Sequence, residues 1–145
     1  MSDGLSHCVT ALCEVAAHRA LAFLADGLAV GRWALGCMNT ASVGDGVYRG
    51  ISLFDGSQMF AMPVAHAALG IVEFHVGAEP TKLVPRIIAK VVSGPEIGRG
   101  ADQCLVSLIA WRDAAMSDDR WRRLCATHEA EIYLLRAQIE RGSGQ

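Results

Sequence analysis

Five histidines, His7, His18, His66, His75 and His128, are the side chains of this 145-residue chain best suited to acid–base work near neutral pH. No two of them stand at a spacing that would ligate a metal, and neither a metal nor another cofactor is expected. The sequence holds no Gly-x-Ser-x-Gly elbow, no His-Glu-x-x-His and no phosphate loop. Gly44-Asp45-Gly46 and Gly50 are glycine-rich, but they fall between strand-like segments rather than ahead of a helix, and read as a hairpin turn.

His128 carries the most interest. It lies in the middle of an apolar helical stripe, so it faces the interior. An imidazole there can donate to a ligand carbonyl or serve as acid or base; the plain alternative is a core histidine bonded to a backbone carbonyl. Glu73 and His75 share one face of the segment Ala68–Val76, because strand side chains alternate, and Val72, Phe74 and Val76 make the other. With the apolar face inward, Glu73 and His75 meet solvent. With the face reversed, they form a buried carboxylate–imidazole pair of the kind an acid–base enzyme uses. The catalytic candidates are therefore His128, Glu73 and His75.

Trp33, Tyr48, Met59, Met62, Trp111 and Tyr133 can build pocket walls or ordinary core, since aromatic rings and adaptable methionines suit flat apolar ligands. The expected ligand-binding set is Trp33, Tyr48, Met62, His75, Trp111, His128 and Ile132. The five cysteines show no Cys-x-x-Cys pairing and read as free, mostly buried thiols of a reducing cytoplasm.

These residues are positioned by a readable run of elements. Residues 7–15 alternate as a strand. Two short helices follow within 17–33, the apolar Leu21, Leu24 and Leu28 being interrupted by Gly27 and Gly31. Strands then fill 36–112: Cys37–Val43, Val47–Phe54, Gln58–Val64, Ala68–Val76, Leu83–Val92 and Gln103–Trp111. Asp55-Gly56 gives the strongest signal for a two-residue type I′ hairpin, which needs positive φ at both positions. Ser117 or Asp118 caps a last helix over 117–141. In it Trp121, Leu124, Cys125, His128, Ile132, Leu135 and Ile139 fall at offsets 0, 3, 4, 7, 11, 14 and 18, one stripe at 3.6 residues per turn. Arg120, Arg122 and Arg123, with Asp118, Asp119, Glu129 and Glu131, read as its solvated face. The tail Gly142-Ser143-Gly144-Gln145 is expected to fray.

Consecutive strands with short turns form an antiparallel sheet whose apolar face needs a covering layer, and the last helix supplies it. A curved sheet and a straight rod cannot touch along their whole length, and small residues such as Gly50, Ala61 and Ala89 cannot fill the gap, so a cavity is expected between them. The segment Cys104–Trp111 is apolar on both faces, which makes the outer sheet face a candidate surface for homo-oligomer formation.

The order strand, two short helices, six strands, long helix resembles the START-like superfamily, also called SRPBCC, with its polyketide cyclase/dehydrase-like members. Ala17, Leu21, Leu24, Asp26 and Trp33 stand where such proteins carry an Ala-Pro…Val…Leu…Asp segment and a following Trp, with His18 in place of the usual proline. Leu134 to Glu140 resembles the group's Leu…Leu-Lys…Leu-Glu ending. The resemblance implies an α+β helix-grip fold over residues 1–145 as one domain: a curved seven-stranded antiparallel sheet wrapped around a long C-terminal helix.

Composition narrows function further. Hydrophobic residues make up 52% and charged residues 19%, enough for one core. The net charge of −2, with Lys82 and Lys90 the only lysines, argues against nucleic acid. No apolar run is long enough for a membrane span, and the first residues lack the pattern of a signal peptide. Three functions stay open: a small hydrophobic ligand carried in the cavity, a cyclase/dehydratase-type enzyme using that cavity, and a protein-interaction module with none.

Overall fold

The computed structural model describes residues 3–143. In chain order they form β1 (Ser6–Cys13), α1 (Ala17–Ala25), α2 (Gly27–Val30), β2 (Met38–Gly44), β3 (Val47–Ile51), β4 (Gln58–His66), β5 (Ile71–Gly77), β6 (Val84–Ser93), β7 (Cys104–Trp111) and α3 (Asp118–Ser143). One seven-stranded antiparallel sheet runs β1-β7-β6-β5-β4-β3-β2. Only β1 pairs out of sequence order, against β7, so the chain's first and last strands lie side by side. The architecture is the expected α+β one.

The alternation read from the sequence sets the two faces. Residues directly opposite in an antiparallel pair share a face. Val72, Phe74, Ala89, Val91, Val106, Leu108, Ala11 and Cys13 are buried on the inner face. Helices α1 and α2 cover the sheet's middle and its β2 side, while α3 lies closest to β1 and β7. The stripe on α3 behaves as its spacing requires: Trp121, His128, Ile132, Leu135 and Ile139 are buried. Leu135 and Ile139 join Leu24, Val30 and Trp33 in the main core.

Several boundaries move, each for a local reason. The type I′ turn sits at Asp45-Gly46, where φ is +55° and +77°, and not at Asp55-Gly56, where only Gly56 has positive φ. A broader loop joins β3 to β4 instead, closed by the Ser52 N–H donating to the Ser57 carbonyl at 2.9 Å. Strand β3 consequently ends at Ile51, short of Phe54. Residues 67–69 form a 3₁₀ turn ended by a left-handed Gly70, so β5 begins only at Ile71. The break between α1 and α2 is Asp26, whose carboxylate accepts the Leu28 N–H at 2.9 Å; Gly27 opens α2. Ser117 Oγ accepts the Arg120 N–H at 3.2 Å and caps α3, which then continues through Gly142 and Ser143. The remainder of the tail expected to fray, Gly144-Gln145, lies outside the described residues.

Helix α3 is fastened at its far half. The Glu14 N–H donates to Glu140 at 2.9 Å and the Arg32 guanidinium to Gln138 at 2.8 Å. The Leu35 N–H donates to Glu131 Oε2 at 2.8 Å. The start of α3 is held by Arg112, which donates to Asp118 at 2.6 Å. No helix among the described residues is long and apolar enough to cross a membrane.

Candidate functional site

Between α3 and the sheet lies a cavity of about 570 Å³. Its walls come from the near half of α3, the 52–57 loop and the ends of β4, β5 and β6. Met59, Phe60, Val76, Ile87, Met116 and Leu124 supply the apolar lining. The volume falls in the range of small-molecule sites, which are mostly apolar with a few convergent polar groups.

The deeply buried titratable groups of the lining are His128 and Glu131, one helical turn apart on α3, with relative exposures of 3% and 5%. His128 Nε2 stands 3.8 Å from Glu131 Oε1, beyond hydrogen-bond range. That distance would allow an ion pair, but burial drives both groups toward their uncharged forms. Desolvation, then the neighbouring His7, pushes His128 down to about 4. Desolvation pushes Glu131 up to about 7, against the Leu35 N–H that favours its carboxylate. Burial thus keeps the imidazole uncharged and favours the protonated carboxyl far above its ordinary range, because neither charge has the dense hydrogen bonding that would repay its desolvation.

His7, on the inner face of β1, completes the cluster. Its ring centroid lies 6.4 Å from that of His128, and its Nε2 is 3.4 Å from Glu129 Oε1. His7 Nδ1 and His128 Nδ1 are both buried with no hydrogen-bond partner among the described residues. His128 is thus not the backbone-bonded core histidine of the plain alternative.

The structure sorts the other candidates away from this cavity. Glu73 and His75 lie on the outer face, as the apolar-face-inward reading had it. Glu73 accepts from His66 at 2.9 Å and stands 3.6 Å from His75. Hydrogen bonding from His66 holds its carboxyl below the usual range. Met62 is opposite His75 and shares that outer face. Trp111 is 44% exposed and alternates outward next to the buried Ala110. Trp33 is core, edge-on to Phe74 at 5.6 Å. Tyr48 lies on the backbone of Gly27, where any Cβ would overlap its ring. Ile132 is core as well. Of the seven residues expected to meet a ligand, only His128 lines the cavity.

Glu131 is the residue that the sequence reading misplaced. It was grouped with the solvated face, yet it is buried. The signal was available: it stands three residues after His128 and four before Leu135, on the edge of the apolar stripe. His7 was also legible only in part, since pairing with Ala110 on β7 turns it inward.

No protein-family model and no curated protein matches the sequence. Solved structures do match the coordinates. A START superfamily protein from Mycobacterium smegmatis aligns over 94% of this chain and 98% of its own, with a TM-score of 0.69 at 11% identity. The chain has the START-like helix-grip fold. The Zhui aromatase/cyclase from a Streptomyces species shares this START-like fold over 94% of this chain and 93% of its own, with a TM-score of 0.65 at 13% identity. The di-domain ARO/CYC BexL aligns over 93% of this chain and 46% of its own, with a TM-score of 0.69 at 15% identity. At such identities the START-like architecture is shared, and site chemistry has to be argued from this chain's own residues.

Proposed function

We propose that this protein binds a small apolar or aromatic ligand in the cavity between the sheet and α3. The observation that carries the reading is an apolar cavity of about 570 Å³ into which two buried titratable side chains, His128 and Glu131, converge. Apolar walls supply affinity through burial, and the neutral imidazole and carboxyl orient one polar group of the ligand. The test is a thermal-shift series with flat aromatic and lipid-like molecules, run beside Thr127→Trp, which places a large ring into the cavity wall, and the milder Leu124→Phe. Binders are expected to raise the melting temperature of the wild type and not of the filled variants. No stabilisation by any member of the series would overturn the reading.

The same pair supports a second reading, an enzyme of the cyclase/dehydratase type. A carboxyl whose proton is exchanged near pH 7, next to a neutral imidazole in the same cavity, meets the requirements of an acid–base couple. Glu73 and His75 have no part in it, since they lie on the opposite face. Under this reading Glu131→Gln keeps ligand binding and loses turnover. Wild-type turnover falls as pH rises past about 7, where the acid loses its proton.

A further inference from the structure

The charges around the cavity run against those of the whole chain. The protein has 13 Lys and Arg against 15 Asp and Glu. The cavity is lined by four cations, Lys82, Arg86, Arg120 and Arg123, and two carboxyls, Asp55 and Glu131. Asp55 is held below the usual carboxylate range by the Ser57 hydroxyl at 2.6 Å and the Ser57 N–H at 2.9 Å, so it stays charged and offsets one cation, with Arg123 adding to the effect. Glu131 lies deep, and the cations still outnumber the carboxyls of the lining four to two.

Two of the four cations, Arg120 and Arg123, have no ion pair among the described residues. Arg120 has no side-chain hydrogen bond or ion pair among the described residues. The Arg123 guanidinium lies over the Phe54 ring, 5.0 Å from its centroid, which leaves its N–H edge free. Lys82 is 3.2 Å from Glu79 in a fully hydrated pair that a ligand anion can displace. Arg86 is likewise paired, 3.3 Å from Asp113. A cleft lined by one sign of charge with low-dielectric walls focuses its field at the mouth. The deep end has the opposite character: a second anion beside Glu131 would have no cation to meet it.

Resting on the cavity reading above, we propose that the ligand is an amphiphilic acid. Its anionic group sits at the mouth between Arg120, Arg123 and Lys82, its apolar body fills the cavity, and an uncharged hydroxyl or carbonyl reaches His128 and Glu131. Eight residues of α3 separate Arg123 from Glu131, so the two polar ends are about 12 Å apart.

A matched pair of fluorescent probes tests the charge and the cavity separately. 1-Anilinonaphthalene-8-sulfonate and N-phenyl-1-naphthylamine share one aromatic skeleton and differ by the sulfonate. The wild type is expected to bind the sulfonate about tenfold more tightly at low salt, a difference of about 1.4 kcal/mol. The double variant Arg120→Gln/Arg123→Gln should lose that preference, to under twofold, while still binding the neutral probe. Molar salt should erase the preference in the wild type too. Thr127→Trp should abolish both signals. Equal affinity for the two probes, a preference that survives in the double variant, or sulfonate binding that survives Thr127→Trp would overturn the acid inference and leave the cavity reading standing. Failure of the wild type to bind either probe would overturn both.

Discussion

The two faces of the sheet carry the same residue types in opposite states. Inside, His128 and Glu131 face each other at 3.8 Å, and both are driven toward neutrality. Outside, His66 and His75 converge on Glu73, whose carboxyl is held below its ordinary range. Separation does not explain the contrast. Water does: the outer group keeps part of its hydration and gains a hydrogen bond at 2.9 Å, while the inner pair has lost its hydration and gained one backbone N–H. A carboxylate–imidazole pair read from sequence therefore carries no chemistry until its solvent exposure is known.

Adjacent residues of β7 test the two faces most severely. Leu108 points inward and is fully buried, whereas Ile109 points outward and is half-buried. Leu108→Ala should cost about 2–5 kcal/mol in denaturant unfolding, by lost transfer energy plus the cavity left behind. Ile109→Ala should cost about 1 kcal/mol if water covers the outer face. A cost near that of Leu108→Ala, rising with protein concentration, would mean that a second copy covers it.

The inner pair comes next. Folded Glu131 holds its proton up to about 7 where an ordinary glutamate releases it near 4.5, so its burial lowers stability as pH rises between those values. Across this window the cost builds to about 3 kcal/mol, at about 1.4 kcal/mol per pH unit. Folded His128 resists protonation down to about 4 against an ordinary 6.5, so its contribution rises with pH between those values. The slopes oppose each other between 4.5 and 6.5, and the wild type should show a flat region there. Glu131→Gln should remove the falling limb, leave stability rising up to pH 6.5, and raise the melting temperature at pH 8. An unchanged melting temperature at pH 8 would show that the carboxylate is already charged and solvated in the folded protein.

The outer cluster should respond least. Glu73 with its lowered value favours the folded state above the ordinary carboxylate range, and this contribution is lost only as pH falls through the folded value. Glu73→Gln should lower melting at pH 7 to 8 only slightly, as befits a partly hydrated pair, and flatten the profile in acid, where the two proteins converge. A large loss at neutral pH would mean that the outer face is dry, and so covered.

Much of the fold could be read along the chain because its signals are local. The stripe from Trp121 to Ile139 fixes which side of α3 turns inward, and Val72, Phe74 and Val76 fix the inner side of β5. Hairpin placement was less readable. Asp45-Gly46 and Asp55-Gly56 carry the same dipeptide, but the register of β2 on β3 requires a tight turn only at the first. The cavity residues were the hardest to read. Aromatic rings such as Trp33 and Tyr48 suit a pocket wall and a packed core equally, and only their neighbours Phe74 and Gly27 decide the matter.

Sequence alone determined the order of elements, the two-sided alternation within the strands, the inward side of the last helix, and the presence of one imidazole on that side, because periodicities of 2 and 3.6 are properties of the backbone. Tertiary structure decided how α3 sits against the sheet, and with it that Glu131 and His7 join His128, that Arg120 and Arg123 edge an opening, and that Glu73 and His75 lie on the outer face. Those outcomes depend on distances between segments far apart in the chain. Burial, which sets whether a carboxyl is an acid or an anion, exists only once the segments have met.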